Sequence, residues 1–165
     1  MVVFGSASLA FWLKDAPVSR DVDLWIVPAE CGHAVEALMG ELSWYHDRHA
    51  AYVEVLAPET FAAPAGWRER ARRVTLPEFP EVVVTVPHPH DVFVSKIERS
   101  SPHDRDHMIR IVREYPLSRD TLAALADETP FRVGQVRDPN RVAAFEINLR
   151  TALETLAGDP PSETS

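Results

Sequence analysis

Hydrophobic and polar residues follow two different patterns in the two halves of this chain. In the first half, short β-branched or alternating runs predict strands over 1–4, 21–27, 50–58 and 81–87, with helices over 7–14 and 30–39 between them. In the second half, apolar residues recur at helical spacing and predict helices over 90–100, 102–115, 118–128 and 140–156. The basic stretch 67–73, WRERARR, is interpreted as a solvent-facing helix and not as a nucleic-acid groove.

The order of these elements predicts an α/β (α+β) fold, with a mixed sheet, flanking helices and a helical C-terminal half. Because the chain shows neither internal repeats nor a long linker, we expect a single domain over 1–157. Within it, 1–87 would form the sheet-bearing core and 88–157 the helical part. The polar, proline-containing end 158–165 is predicted to be a disordered tail.

Composition narrows the class of protein. The chain has 165 residues, of which 45% are apolar and 25% charged, as in ordinary globular domains. No apolar run approaches the roughly 20 residues that a membrane span requires, and no signal-peptide pattern is visible, so we expect a cytoplasmic protein without a membrane partner. A single cysteine, Cys31, excludes an internal disulfide framework. The net charge of −8 argues against a broad nucleic-acid surface.

Two aspartates in one predicted strand are the first sign of chemistry. Asp21 and Asp23 are two residues apart, so both point to the same face and repel each other. A cation or a basic side chain would relieve the repulsion, and so would a position in water at the end of the strand. Glu54 lies in the next confident strand, and if the two strands are neighbours, three carboxylates converge at one edge of the sheet. Such an oxygen-rich site suits Mg²⁺ or Mn²⁺, and the Gly5-Ser6 turn offers backbone N–H groups to triphosphate oxygens.

These motifs resemble a known family. FGS (4–6), a spacer and then DVDL (21–24) resemble the signature of the polymerase-β-type nucleotidyltransferases, and VEV (53–55) resembles the place of their third acidic residue. AGWRERARRV (65–74) and VPHPHDVFVSKIERSSPHDRDHMIRIV (86–112) resemble a group of small bacterial nucleotidyltransferase-like proteins. That group is distantly related to the AbiEii toxins, and the resemblance runs from Val2 to the last helix.

The resemblance implies a role for each matching residue. Asp21, Asp23 and Glu54 would be the catalytic and metal-binding carboxylates. Gly5 and Ser6 would bind nucleotide phosphates, and so would Lys96, on a helix after the sheet; its alternative interpretation is an ordinary surface lysine. The implied enzyme moves a nucleoside monophosphate from an NTP to an acceptor, with Mg²⁺ or Mn²⁺ as cofactor.

The resemblance leaves the acceptor and the biological role open. A tRNA end, a protein side chain and a small molecule are all candidate acceptors, and a toxin role in a two-gene system with a cognate partner protein is also implied. Two alternative functions remain at this stage. One is a catalytically inactive nucleotide- or partner-binding module on the same fold, and the other is a metal-dependent nuclease using Asp21, Glu54 and Lys96. The spacing of His103 and His107 could also bind zinc, although exposed histidines on a charged helix are the favoured interpretation.

Overall fold

A five-stranded mixed sheet forms the first part of the chain in the computed structural model, which describes residues 1–158. The strands are β1 (Val2–Val3), β2 (Asp21–Trp25), β3 (Tyr52–Val55), β4 (Arg72–Leu76) and β5 (Phe79–Val86). Their order across the sheet is β3-β2-β1-β5-β4. The β1–β5 and β2–β3 pairs are parallel, whereas β1–β2 and β4–β5 are antiparallel. This mixed sheet confirms the predicted α/β fold class.

One face of the sheet is apolar because β-branched residues alternate with polar ones along the strands. Its buried members are Val3, Leu24, Val53, Val84 and Val86. Residues of the first helical segments pack against this cluster. The opposite face of β2 and β3 therefore carries the polar residues of the same strands.

Seven α-helices accompany the sheet within residues 1–158. They are α1 (Ala29–Met39), α2 (Trp44–His49), α3 (Trp67–Arg70), α4 (Pro89–Ser95), α5 (Pro102–Glu114), α6 (Arg119–Asp127) and α7 (Pro139–Gly158). Ser101 and Ser118 cap α5 and α6 by accepting hydrogen bonds from backbone N–H groups of the first turn. The helices predicted for the second half are thus present, although α4 is shorter than expected.

The structure differs from the prediction at three places. The predicted helix over 7–14 is a 3₁₀ helix at Ala7–Phe11, and α2 was not predicted. The predicted helix over 67–73 is wrong beyond Arg70, because Ala71 has an extended backbone and β4 follows. In β4, apolar Val74 and Leu76 alternate with Arg73 and Thr75, a period of two that is typical of a strand.

The chain divides into two compact units. The first contains Met1–Phe61 and Gly66–Val92, and so holds the whole sheet; the second contains Ala62–Ala65 and the described chain from Phe93 to residue 158. In the second unit Phe131 and Phe145 are buried and their rings stack with centroids 4.5 Å apart. The predicted single domain, with its internal boundary at residue 87, stays a prediction.

Two further predictions concern the chain as a whole. None of the helices within residues 1–158 combines the length and the apolar character needed to cross a bilayer. Helix α7 includes Gly158, and the rest of the predicted disordered tail, 159–165, lies outside the described residues.

Candidate functional site

The predicted carboxylates lie on one face of β2 and β3. The two strands are parallel neighbours, with Asp23 in register with Glu54 and Asp21 in register with Tyr52. Because register partners point to the same side of a sheet, the two aspartates and Glu54 share one face. Glu54 and Asp21 are exposed and Asp23 is half-buried. We call this surface, formed by Asp21, Asp23, Tyr52 and Glu54, the acidic face.

Gly5 lies directly against the carboxylate of Asp23. Its φ is +55°, in the left-handed region that disfavours residues with a Cβ atom. A Cβ at this position would lie 2.5 Å from Oδ2 of Asp23, so the site leaves no room for a side chain. The neighbouring Phe4 N–H donates to the Asp23 carbonyl at 2.8 Å, which holds the turn on β2. The structure thus places the predicted phosphate turn next to one of the predicted metal ligands.

The 3₁₀ helix that follows fixes the shape of this turn. The Ser8 hydroxyl is fully buried and donates to the Gly5 carbonyl at 2.7 Å. Ser6 stands at the start of the 3₁₀ helix, and its carbonyl accepts from the Leu9 N–H at 3.1 Å. Sequence analysis identified the turn but not Ser8, which stabilises it from inside.

The phenol of Tyr52 has a raised pKa, partly because of the negative charge of the acidic face. Partial burial and the charges of Asp21, Glu41, Glu54 and Asp23 raise the pKa of its phenol. All four carboxylates therefore act on one hydroxyl group. No motif in the sequence points to a function for Tyr52 or Glu41.

The acidic face fits a divalent cation by its chemistry. Carboxylate oxygens are the ligands that Mg²⁺ prefers. Among residues 1–158, however, no three His, Cys, Asp or Glu side chains lie close enough to hold a metal ion by themselves. Mg²⁺ in phosphoryl-transfer sites is commonly held by one or two carboxylates together with substrate phosphates. The pair Asp21 and Asp23 suits this second kind of site.

Lys96 lies in the second unit, where it is buried in an ion pair. The prediction that Lys96 lies on a helix is wrong, because α4 ends at Ser95 and Lys96 lies in the tight turn that follows. Its side chain is 6% exposed, and its Nζ lies 3.1 Å from Oδ1 of Asp104. This burial excludes the alternative interpretation of Lys96 as an ordinary surface lysine. The predicted contact with nucleotide phosphates stays a prediction.

Asp104 gathers several donors. It is fully buried and accepts from Lys96, from the backbone and hydroxyl of Ser101, and from Arg99 at 2.6 Å through both Nε and Nη2. Burial alone would raise its pKa, but the hydrogen bonds from Arg99 and Ser101 and the charge of Lys96 outweigh it and hold the pKa well below its usual range. Asp104 therefore stays ionised and neutralises part of the local positive charge.

His107 lies one turn further along α5 and is fully buried. Its ring centroid lies 4.0 Å from that of His103. Burial, Lys96 and His103 lower its pKa from 6.5 to about 4, against the weaker opposing effect of Asp104 and Asp106. The imidazole is therefore neutral at pH 7.

We expect the free energy of unfolding to fall as pH decreases from 6.5 to about 4. In this range the unfolded chain binds a proton on His107 that the folded chain excludes, and a pKa difference of this size corresponds to roughly 3 kcal/mol. Urea unfolding at a series of pH values measures the slope. His107→Gln should remove most of it, whereas His33→Gln, at an exposed position of α1, should leave it unchanged. An unchanged slope in His107→Gln would contradict this assignment.

Comparison with known proteins assigns the class. The mixed sheet with flanking helices is the fold that the resemblance to a nucleotidyltransferase implies. Residues 1–155 match the family described as "Nucleotidyltransferase of unknown function (DUF6036)". The chain therefore belongs to this family. This confirms the prediction that the chain belongs to a nucleotidyltransferase-like family. No curated protein and no solved structure matches the chain. The relation to the polymerase-β type and to AbiEii toxins stays a prediction.

Proposed function

We propose that this protein is a metal-dependent nucleotidyltransferase that moves a nucleoside monophosphate from an NTP to an acceptor. The observation that carries the proposal is the contact of Gly5 with the Asp23 carboxylate. Backbone N–H groups that would bind phosphate then belong to a turn beside a carboxylate that would hold a cation, and this pairing supports NTP binding. The family to which the chain belongs supports the same reaction class.

In the proposed reaction, the Gly5-Ser6 turn binds phosphate oxygens of the NTP. Asp21 and Asp23 would hold Mg²⁺ or Mn²⁺, which supplies charge neutralisation at the phosphates when bound. The acceptor hydroxyl attacks the α-phosphorus, the bond from this phosphorus to the bridging oxygen breaks, and pyrophosphate leaves. Glu54, in register with Asp23, would take the hydroxyl proton as general base.

The acceptor belongs to the same proposal. A tRNA end, a protein side chain and a small molecule all offer a suitable hydroxyl group. The proposed toxin role with a cognate partner protein rests on the resemblance alone. The proposed cytoplasmic location rests on the composition.

The alternative, a catalytically inactive binding module, is favoured by one observation: Lys96 is held by Asp104 in a buried ion pair.

Labelled substrates test the function directly. The purified protein would be incubated with each of the four α-labelled NTPs, Mg²⁺ or Mn²⁺, and a bacterial extract. Label should appear in one acceptor fraction with release of pyrophosphate, and treatment of the product with ribonuclease or protease would identify the acceptor class. NTP binding without any transfer would favour the inactive module. Neither binding nor transfer would contradict both.

We expect Gly5→Ala to abolish most nucleotide binding at a modest cost in stability. The left-handed φ costs an alanine about 1–2 kcal/mol, and the new Cβ must also displace the Asp23 carboxylate. Gly134→Ala is the matched control, since Gly134 has φ +75° but nothing within 4 Å of its Cβ position. Both variants should unfold at lower urea concentration, and only Gly5→Ala should weaken NTP binding in calorimetry. Equal NTP affinity in the two variants would show that the contact with Asp23 has no role in binding.

A further inference from the structure

We propose that Arg68 binds the phosphate groups of the substrate, and that Trp25 and Trp67 hold its guanidinium in place for this purpose. The inference rests on the proposed function and adds a residue that the motif analysis did not assign. All three residues, together with the acidic face, lie in the first unit.

Trp67 is a fixed platform. It is 8% exposed and follows Gly66, whose left-handed backbone starts α3. Its ring lies edge-on to Phe61 at 5.4 Å and to Phe4 at 6.2 Å, and these two phenyl rings stack on each other at 4.9 Å. Phe4 directly precedes the Gly5-Ser6 turn. The aromatic cluster therefore connects the start of α3 to the phosphate turn.

Arg68 is held between two indole rings. Its Cζ lies 4.6 Å from the Trp67 ring centroid and 5.3 Å from that of Trp25, both within the range of cation–π attraction. Within residues 1–158, no carboxylate forms a salt bridge with Arg68. Arg70, on the same short helix, makes a salt bridge of 2.6 Å to the buried Asp91. The rings orient the Arg68 cation while its N–H groups keep their capacity to bind an anion.

Trp25 locates this cation relative to the acids. Trp25 is two residues after Asp23 on β2, so its ring projects from the same face as Asp21 and Asp23. It is half-buried, and Arg68 is exposed. The guanidinium, in contact with this ring, therefore lies on the same side of the sheet as the acidic face, where it adds positive charge to a strongly negative surface.

The chemistry of the substrate explains why a cation is needed there. A triphosphate that approaches several carboxylates is repelled unless positive charge compensates them, and a divalent ion compensates only part of that charge. A planar guanidinium can donate two parallel hydrogen bonds to one phosphate, and an arginine already held by rings loses little conformational entropy on binding. Arg68 has both properties.

Calorimetric titration of inorganic tripolyphosphate and of each of the four NTPs, at fixed Mg²⁺, tests the proposal. Arg68→Met should raise the dissociation constant of tripolyphosphate, and that of the NTP that the wild-type protein binds, by about 10- to 100-fold. This is the range for charge-assisted hydrogen bonds. Arg68→Lys keeps the charge but not the fork and should recover part of the affinity. Arg73→Met, an exposed arginine on β4, is the matched control and should change affinity by less than about twofold because its charge is screened by salt.

The outcomes separate this inference from the proposed function. Wild-type affinity for tripolyphosphate in Arg68→Met, with normal NTP binding, would overturn the role of Arg68 alone. A loss of affinity that Arg68→Lys does not recover at all would also overturn it, because a purely structural role would then account for the effect; circular dichroism melts of both variants show whether they fold. A wild-type protein that binds neither ligand would overturn the proposed function, and the role of Arg68 with it.

Discussion

Asp23→Asn should reduce nucleotidyl transfer by on the order of a thousandfold, because a metal ion contributes several kcal/mol of transition-state stabilisation and this substitution removes a ligand charge. Asp23 is the carboxylate in contact with Gly5 and in register with Glu54. Its loss would therefore affect the proposed phosphate turn and the proposed metal site together. Asparagine keeps the shape of the side chain, so the backbone at Phe4 and Gly5 should stay in place.

The same substitution should leave the folded state as stable as before or more stable. In metal-free buffer it relieves repulsion among Asp21, Asp23 and Glu54, and we expect a gain of up to about 1 kcal/mol in the free energy of unfolding. In Mg²⁺ the wild-type protein should gain stability that the variant does not, since ligands stabilise the state that binds them. Loss of activity together with loss of stability would instead indicate a structural role.

A strand acid elsewhere in the sheet provides the control. Glu81 is exposed on β5, and Glu81→Gln removes the same charge from a different position. It should keep transfer activity and the Mg²⁺-dependent rise in melting temperature. If Asp23→Asn gains as much stability from Mg²⁺ as the wild type does, Asp23 is not a metal ligand.

Asp104→Asn should destabilise the protein by about 3–5 kcal/mol, the cost of removing one partner from a buried ion pair. The side chain of Asp104 is completely buried, and Lys96, which is 6% exposed, would lose its counter-charge. The amide would in addition direct N–H groups at the donors of Lys96, Arg99 or Ser101. Urea unfolding at pH 7 measures the loss.

Two further variants separate charge from packing. Asp106→Asn changes the neighbouring acid, which is 53% exposed and pairs with Arg110, and should alter the melting temperature little. Lys96→Met in the Asp104→Asn background should restore part of the lost stability, because it removes the uncompensated buried charge. A double variant less stable than Asp104→Asn alone would contradict this explanation.

The ion pair also predicts the behaviour of the protein in acid. Because the folded-state pKa of Asp104 is held below its ordinary value of 3.8, its contribution to stability is complete above that pH and is lost as pH falls below it. This loss lies at lower pH than the loss caused by His107. The Asp104→Asn variant should therefore lack the lower of the two stability losses in an acid titration.

Local periodicity in the sequence determined much of this protein. The alternation along β3 places Val53 and Val55 on one face and Tyr52 and Glu54 on the other. The same rule places Asp21 and Asp23 on one face of β2, because side-chain direction in a strand depends only on neighbouring residues. The helices of the second half follow from the same kind of local rule. One of the two elements missed, β4, had a recognisable alternation that the arginines around it obscured.

Tertiary structure decided which distant residues meet. The register of Asp23 with Glu54 depends on β2 and β3 being parallel neighbours, and the contact of Gly5 with Asp23 depends on the pairing of β1 with β2. The burial of Lys96 against Asp104 has the same origin, as does the stacking of Arg68 on Trp25. Such contacts follow from the packing of whole elements, which sums many weak interactions over residues far apart in sequence. The sequence therefore determined the kinds of side chain available for the proposed nucleotide site, and the tertiary structure determined which of them lie together.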